Sequence, residues 1–282
     1  MKTVCIYHSR DLDGWMSAAI VKLMFNIKHK QEVIFIGWDY GQDYPDLSSK
    51  EMEVIMVDVS FPIRRMGYLA ENNNFIWIDH HISAIKAVSE MESLPFIKGL
   101  RNDKYAACEL TWKFFFPDEP MPEIVRLLGR YDCFGHKGTD EERKVLIFQY
   151  AARAFLYDVY TCYNALCSVK TEDIDSWLDT GEAIYTYLCM EAKQLYAQVF
   201  TIYLDGCRFA CVNQARFNPV NFGINYHTDG YDGFACFWYE NGKFSYSLYN
   251  DNGKVDCSEI AKQRGGGGHK GASGFRSDVI LK

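Results

Sequence analysis

The sequence has few of the features that mark membrane, secreted or disulfide-bonded proteins. No apolar run approaches the roughly 20 residues that a membrane span needs. The apolar stretch ahead of His8 is too short for a signal peptide. Ten cysteines are present, but none forms a C-x-x-C pair. These properties predict a cytoplasmic protein with reduced thiols and no membrane partner.

Positive charge is also scarce. Acidic side chains outnumber basic ones by 37 to 30, which gives a net charge of −7. A protein that coats long nucleic acid must neutralise many phosphates, so this balance argues against that function. It leaves room for a small phosphorylated substrate in a local basic pocket.

The pattern of apolar residues changes along the 282-residue chain, and it predicts an α/β protein with two domains. Short β-rich runs alternate with helical patterns over the first half, which predicts a parallel, doubly wound sheet. From about residue 107 to residue 200 the pattern is mostly helical. Beyond it, Asp205-Gly206 and Asn241-Gly242 are strong hairpin turns, so a second domain begins near residue 200.

Histidines and carboxylates gather where the predicted strands end. His8, Asp58 and Asp79 each end or follow an apolar run, and ligands of such sheets bind beyond the carboxyl ends of the strands. A buried strand that ends in Asp79-His80-His81 costs desolvation unless these groups are paired or metal-bound. Exposed histidines in a loop are the alternative. Mixed imidazole and carboxylate sets suit divalent cations, so we predict a two-metal hydrolytic centre.

Two further acidic segments indicate metal binding only in combination with the neighbouring motifs. Asp11 and Asp13 lie two apart between a predicted strand and helix, where both carboxylates can face one pocket and Gly14 lets the chain turn. An acidic loop with a helix cap explains this segment equally well. Asp58 by itself is typical of a turn or a cap, but one carboxylate can also bridge two cations about 3.5–4 Å apart.

Four consecutive glycines, residues 265–268, precede His269. Such a run lets backbone N–H groups approach an anion closely, which predicts phosphate binding. The alternative is a flexible linker, although the run lies directly between a predicted helix and a segment of small residues. Arginine contacts phosphate in a bidentate manner, and three arginines lie beside the motifs: Arg10, Arg130 and Arg264.

Together these segments resemble the motifs of DHH phosphoesterases that carry a C-terminal DHH-associated (DHHA1) domain, over most of the chain. The N-terminal motifs appear in the family's order: His8-x-x-Asp11-x-Asp13-Gly14, Asp58, Asp79-His80-His81 and Asp132. The segment from Gly265 to Gly274 resembles the family's glycine-rich substrate motif. The implied fold is α/β, with a doubly wound, mostly parallel catalytic domain (1–180), a connecting helix (181–200) and a smaller α/β domain with a mixed sheet (201–282).

The resemblance implies a role for each motif residue. Asp79 would orient a ligand through a hydrogen bond and His81 would face the scissile phosphate; with Asp58 they form the implied catalytic set. The implied cofactor is Mn²⁺, with Mg²⁺ or Co²⁺ as alternatives. The implied metal ligands are His8 and Asp11 for one ion, Asp13, His80 and Asp132 for the other, and Asp58 as the bridge. Implied substrate contacts come from His81, Arg10, Arg264, Gly266, Gly267, Gly268 and His269.

The implied activity is hydrolysis of a phosphodiester or phosphomonoester by water activated between two metals. The substrate would be a short oligonucleotide or a small nucleotide, and the chain could form a homodimer. A pyrophosphatase or exopolyphosphatase with the same metal centre is the alternative. A non-catalytic binding protein ranks last, because every expected ligand is present.

One segment departs from the family pattern. Relatives that degrade very short RNA often carry arginine in a Ser-x-Arg-Ser segment before the glycine motif. The matching residues here are Ser247-Leu248-Tyr249-Asn250. Tyr249 cannot make a bidentate phosphate contact, so the sequence leaves room for a different substrate.

Overall fold

The computed structural model describes residues 2–28, 32–47, 49, 51–91, 93–215 and 218–281. The chain divides into two compact units, Met1–Glu182 and Ala183–Lys282. Each unit has a sheet of its own. Among the described residues, no helix is long and apolar enough to cross a bilayer.

The first unit is built on four parallel strands. They are β1 (Thr3–His8), β2 (Val33–Trp38), β3 (Glu53–Val57) and β4 (Asn74–Ile78). Their order is β2-β1-β3-β4, and every neighbouring pair is parallel. The register places Tyr7 opposite both Gly37 and Val57, and Val57 opposite Ile78. The residues that follow the strands therefore emerge at one edge of the sheet.

Helices cover both faces of this sheet. They are α1 (Leu12–Lys28), α2 (Ile63–Asn72), α3 (Ile82–Ser89), α4 (Ala107–Phe115), α5 (Glu123–Asp132), α6 (Glu142–Phe155), α7 (Val159–Ser168) and α8 (Ile174–Tyr196), which runs across the division between the units. One core packs α1 and α4 to α7 on the sheet around Ile55 and Phe148. A second core packs α2 and α3 on the other face around Trp77. The predicted doubly wound sheet is confirmed.

The described part of the second unit contains a six-stranded sheet, the C-terminal part of α8 and one further α-helix. Its elements are β5 (Phe200–Leu204), β6 (Cys207–Asn213), β7 (Gly233–Glu240), β8 (Lys243–Tyr249), α9 (Cys257–Lys262), β9 (Gly267–His269) and β10 (Ala272–Ser277). The strand order is β5-β6-β7-β8-β10-β9. Only β6 and β7 pair in parallel within this order, so the sheet is mixed, as predicted.

Both predicted hairpin turns of the second unit are confirmed. Asp205 and Gly206 connect β5 to β6 with φ angles of 51° and 82°. Asn241 and Gly242 connect β7 to β8 with φ angles of 50° and 81°. Two successive residues with positive φ match the right-handed twist of the flanking strands, which is why Asx-Gly pairs favour such turns.

Candidate metal centre

The candidate centre lies at the carboxyl edge of the first unit's sheet. His8 is the last residue of β1, Asp58 follows β3 directly, and Asp79 follows β4 directly. Asp58 has a φ angle of 59°, which is uncommon for a residue with a side chain. Its backbone N–H donates to the carbonyl of Ile78 at 3.0 Å, so the neighbouring strand holds this turn in place.

Among the residues that the structure describes, three groups of side chains have ligand atoms close enough to hold a cation. Within each group, the histidine nitrogens and carboxylate oxygens all lie within 4.8 Å of one another. The groups share members, so they form one continuous cluster. They are His8, Asp11 and Asp58; Asp58, His80 and His81; and Asp13, His80 and Asp132.

Asp58 lies at the middle of this cluster. Its Oδ2 is 3.5 Å from Nδ1 of His8, and its Oδ1 is 3.4 Å from Nε2 of His80. The side chain is only 2% exposed. The two oxygens of one buried carboxylate therefore face two different imidazoles.

Asp13 reaches the cluster while it caps a distant helix. Its Oδ2 accepts a hydrogen bond from the backbone N–H of Ala107 at 2.8 Å, and its Oδ1 accepts one from Cys108 at 2.7 Å. These residues form the first turn of α4, whose N–H groups and dipole favour a negative charge. The same Oδ2 lies 3.7 Å from Nε2 of His80. The sequence places Asp13 at the site but does not reveal the bonds to α4.

Asp79 orients the two histidines that follow it. Its Oδ1 accepts hydrogen bonds from the backbone N–H groups of His80 at 2.8 Å and His81 at 3.2 Å. The same oxygen lies 2.7 Å from Nδ1 of His81. Asp79 is fully buried, whereas the His81 side chain is 26% exposed. The arrangement leaves His81 accessible at the edge of the cluster.

Burial and neighbouring charges shift the pKa values of the cluster strongly. Burial raises the pKa of Asp13 to about 7, helped by the negative charge of Asp58. Burial also raises the pKa of Asp132 to about 7, helped by Asp13. Burial lowers the pKa of His80, but the hydrogen bond that its ring donates to Asp58 and the charges of Asp132 and Asp13 outweigh this effect and raise that pKa to about 11. His8 likewise has a pKa near 11, because Asp11 and Asp58 outweigh the effect of burial.

The chemistry of the donor set fits divalent cations. Imidazole nitrogens and carboxylate oxygens are ligands for borderline and hard divalent ions. Four carboxylates crowd around two imidazoles here, and they repel one another in a largely buried site. A cation would relieve this repulsion by taking the place of bound protons. The set contains His8, Asp11, Asp13, Asp58, His80 and Asp132.

Sequence reasoning missed one carboxylate at this edge. Asp39 follows β2, the strand beside β1, and its Oδ1 lies 3.4 Å from Nε2 of His8. Its Oδ2 accepts from Nε of Arg10 at 2.9 Å. The signal was available, because Asp39 occupies the same position after a strand as Asp58 and Asp79. The Arg10 side chain is 62% exposed and joins the site through Asp39.

The other two arginines already bind carboxylates. Nη2 of Arg130 donates to both oxygens of Glu109, at 3.0 and 3.1 Å. Arg264, in the second unit, donates from Nη1 and Nη2 to the two oxygens of Asp205 at 3.0 and 2.7 Å. A phosphate at Arg264 would have to compete with Asp205. Its predicted substrate contact stays a prediction.

The glycine run of the second unit is an ordered structure. Gly267–His269 forms the edge strand β9, which pairs with β10, and the N–H of Gly266 donates to the carbonyl of Ala261 at 2.9 Å. A Cβ on Gly266 would lie 2.0 Å from the carbonyl oxygen of Gly274, whereas one on Gly267 would meet nothing within 4 Å. The linker interpretation is therefore wrong, and one side of the run is open.

Comparison with families and curated proteins gives one distant relative of this chain. No family model matches the chain. An uncharacterized protein of Acanthamoeba polyphaga mimivirus is 25% identical over 292 residues, covering 96% of this chain. The chain spans 66% of the length of that curated relative.

Two solved structures are similar to this chain. An exopolyphosphatase-related protein from Bacteroides fragilis matches with a TM-score of 0.56 and 13% identity, over 99% of this chain and 88% of that chain. A pGpG-specific phosphodiesterase from Vibrio cholerae matches with a TM-score of 0.48 and 12% identity, over 98% and 93%. The first likeness shows that the two proteins share a fold.

Proposed function

We propose that this chain is a DHH-family phosphohydrolase, an enzyme that uses divalent cations to hydrolyse a phosphate ester of a short oligonucleotide or a small nucleotide. One observation carries the proposal: the two oxygens of the buried Asp58 face His8 and His80, at 3.5 and 3.4 Å. A single carboxylate between two imidazoles is an arrangement that suits a pair of neighbouring cations. The shared fold with an exopolyphosphatase-related protein supports the same family.

The cluster divides naturally between two cations. His8 and Asp11 would hold one ion, Asp13, His80 and Asp132 would hold the other, and Asp58 would bridge them. When bound, such ions activate a water molecule as a nucleophile and offset the charge of the phosphoryl oxygens. The protein contributes fixed ligand positions, because the strand edge and the first turn of α4 hold these carboxylates.

His81 is proposed to contact the scissile phosphate. Burial lowers the pKa of His81, but the hydrogen bond and the charge of Asp79 outweigh it and raise that pKa. The Oδ1 of Asp79 lies 2.7 Å from Nδ1 of His81 and so fixes one edge of the imidazole ring. Asp79 thus acts through His81, as a group that fixes the orientation of the ring.

The second unit is proposed to bind the rest of the substrate. Gly267 and Gly268 lie on the exposed edge strand, next to His269. In the register of the sheet, Tyr249 lies opposite Ala272, and Ala272 lies opposite His269, so these side chains share one face. Tyr249 offers an aromatic surface for a base rather than a charge for a phosphate. This favours a nucleotide over an inorganic polyphosphate.

Pyrophosphatase or exopolyphosphatase activity is the second candidate. The structure with the TM-score of 0.56 comes from an exopolyphosphatase-related protein. The same cations and the same bridge would serve both reactions, so the cluster does not separate them. The substrate-binding face would decide between them.

A substrate screen tests the proposal. Purified protein would be incubated with Mn²⁺ and with each of five substrates: pyrophosphate, polyphosphate, bis-phosphorylated adenosine, linear dinucleotides and short RNA. We expect release of phosphate or nucleotide from at least one nucleotide substrate, abolished by EDTA. Hydrolysis of pyrophosphate or polyphosphate alone would favour the second candidate. No hydrolysis of any substrate with Mn²⁺, Mg²⁺ or Co²⁺ would contradict the proposal.

Three further properties belong to the same proposal. We infer Mn²⁺ as the working cation, a small nucleotide or very short oligonucleotide as the partner, and a cytoplasmic location for the protein. A homodimer stays a prediction. Metal analysis of the purified protein identifies the cation. Sedimentation at several concentrations measures whether the protein forms a dimer.

A further inference from the structure

An ion pair with a buried carboxylate connects α4, whose first turn binds Asp13, to α5, which carries Asp132. Glu109, in the first turn of α4, is 3% exposed, and its two oxygens accept from Nη2 of Arg130 in the last turn of α5. Neither residue belongs to the three candidate ligand groups. A buried carboxylate is costly to maintain, so a pair of this kind requires an explanation beyond simple stability.

Backbone N–H groups at the start of α4 donate hydrogen bonds to both Glu109 and Asp13. The backbone N–H of Ala106 donates to Oε2 of Glu109 at 3.1 Å. The next two N–H groups, of Ala107 and Cys108, donate to the oxygens of Asp13. Three successive backbone donors thus bind one candidate metal ligand and one partner of the ion pair. Any movement of this turn would move Asp13.

On the other helix, Arg130 lies two residues before Asp132. The Oδ2 of Asp132 is 3.3 Å from Nε2 of His80, the same nitrogen that lies 3.7 Å from Asp13. The helices also approach closely here, because a Cβ on Gly129 would lie 2.4 Å from Cγ of Glu109. The ion pair therefore holds the segment with Asp13 against the segment with Asp132.

We propose that Glu109 and Arg130 are positioning residues that set the separation of Asp13 and Asp132 and thereby the affinity of one of the two cation sites. This inference rests on the proposed two-metal function. Neither residue is among the candidate ligands, so the pair is not a direct contact of either cation. It acts through the first turn of α4 and the last turn of α5. The site of His8 and Asp11 lies on β1 and its loop, so it does not depend on this pair.

Stepwise Mn²⁺ binding is the measurement that tests this inference. Titration calorimetry and the signal of free Mn²⁺ in electron paramagnetic resonance would report the number of bound ions and each dissociation constant. The variants are Glu109→Gln, which keeps an oxygen for Ala106 but removes the charge, and Arg130→Gln. We expect one of two dissociation constants to rise at least about tenfold, as for other residues that orient ligands, and the other to change less than about twofold.

The same helix offers a matched control. Arg126 lies one turn before Arg130, and its hydrogen bonds run to the carboxylates of Glu123 and Glu141 rather than to α4. Arg126→Gln removes a comparable ion pair and should leave both dissociation constants unchanged. The double variant Glu109→Gln/Arg130→Gln should be no weaker than the single variants, because the two residues act as a unit. Arg130→Lys, which keeps a charge, should restore part of the affinity.

The outcomes separate this inference from the proposed function. Wild-type protein that binds fewer than two Mn²⁺ ions would contradict the proposed function itself. If the wild type and both single variants bind two ions with the same dissociation constants, only the role of the ion pair is overturned. Equal weakening of both sites would overturn it as well, because a general loss of structure has that effect. If Glu109→Gln does not fold, Arg130→Gln decides, since Glu109 then keeps its bond to Ala106.

Discussion

At the scale of single residues, the centre depends on carboxylates whose surroundings differ. Asp79 is buried but its pKa lies below the usual range, because the hydrogen bonds and charges of His81 and His80 outweigh the effect of burial. Asp13 is equally buried, but it faces Asp58 and its pKa lies above the usual range. The opposite pKa shifts agree with the different tasks proposed for the two acids: Asp79 would orient His81, and Asp13 would bind a cation.

Asp58→Asn tests the central residue. We expect turnover to fall by at least about 100-fold, because even outer partners of metal ligands typically contribute 10–100-fold. The fold should remain intact, since Asn has the same shape and can adopt a positive φ angle. Activity with Mn²⁺ and circular dichroism of the variant measure both effects. Near-normal hydrolysis by a folded variant would refute the bridging role.

The pKa of Asp13 predicts how the metal-free protein responds to pH. An unfolded aspartate has a pKa of about 3.9, whereas Asp13 in the folded protein has a pKa of about 7. Between these values the folded state binds more protons, so the contribution of Asp13 to the free energy of unfolding falls as the pH rises from about 4 to about 7.

Urea unfolding in EDTA at several pH values, for wild type and Asp13→Asn, isolates this contribution. The free energy of unfolding of wild type, relative to that of the variant, should decrease as the pH rises from about 4 to about 7. A difference that stays constant from pH 4 to pH 7 would show that Asp13 does not titrate as described.

At the scale of elements, strand ends and helix starts place the chemistry. Parallel strands bring His8, Asp58 and Asp79 to one edge, and the first turn of α4 fixes Asp13 from the side. In the second unit, β9 and β10 form a hairpin in which glycines permit close backbone approach. Two neighbouring glycines of this hairpin have different surroundings, which allows a direct comparison.

Gly266→Ala and Gly267→Ala form a matched pair of substitutions. A methyl group on Gly266 would lie 2.0 Å from the carbonyl oxygen of Gly274, so we expect a loss of about 1–3 kcal/mol in the free energy of unfolding. The same group on Gly267 meets nothing within 4 Å and should change stability by no more than about 1 kcal/mol. Thermal or urea unfolding measures both variants. Equal stability of the two would mean that the hairpin is not packed as described.

At the scale of the whole molecule, the candidate ligands all belong to the first unit. His8, Asp58, His80 and Asp132 precede the division after Glu182. Cations that bind only the folded state stabilise it by an amount that grows with the logarithm of their concentration relative to the dissociation constant. The effect of a metal should therefore be local to this unit.

Hydrogen exchange with and without Mn²⁺ tests this expectation. We expect slower exchange at residues 8–14, 57–59, 78–82 and 106–109, and unchanged exchange in β5 to β8 of the second unit. Peptides from the two sheets provide an internal comparison within one sample. Protection that appears only in the second unit would place the metal elsewhere.

The sequence by itself determined the fold class and most of the cluster, because strand and helix periodicity and the order of the motifs are local properties. It predicted that residues after β1, β3 and β4 would meet, since parallel strands end at a common edge. Asp39 was missed, although it follows β2 in the same way.

Only the tertiary structure decided which partners these groups have. The bonds from Ala107 and Cys108 to Asp13, and the pairing of Arg130 with Glu109 and of Arg264 with Asp205, join residues 21 to 95 positions apart. An arginine beside a motif has the same sequence signature whether it awaits a phosphate or already binds a carboxylate. The difference arises because charges pair with whatever the fold brings within a few ångströms, and that proximity is set by packing between elements rather than by the local pattern of residues.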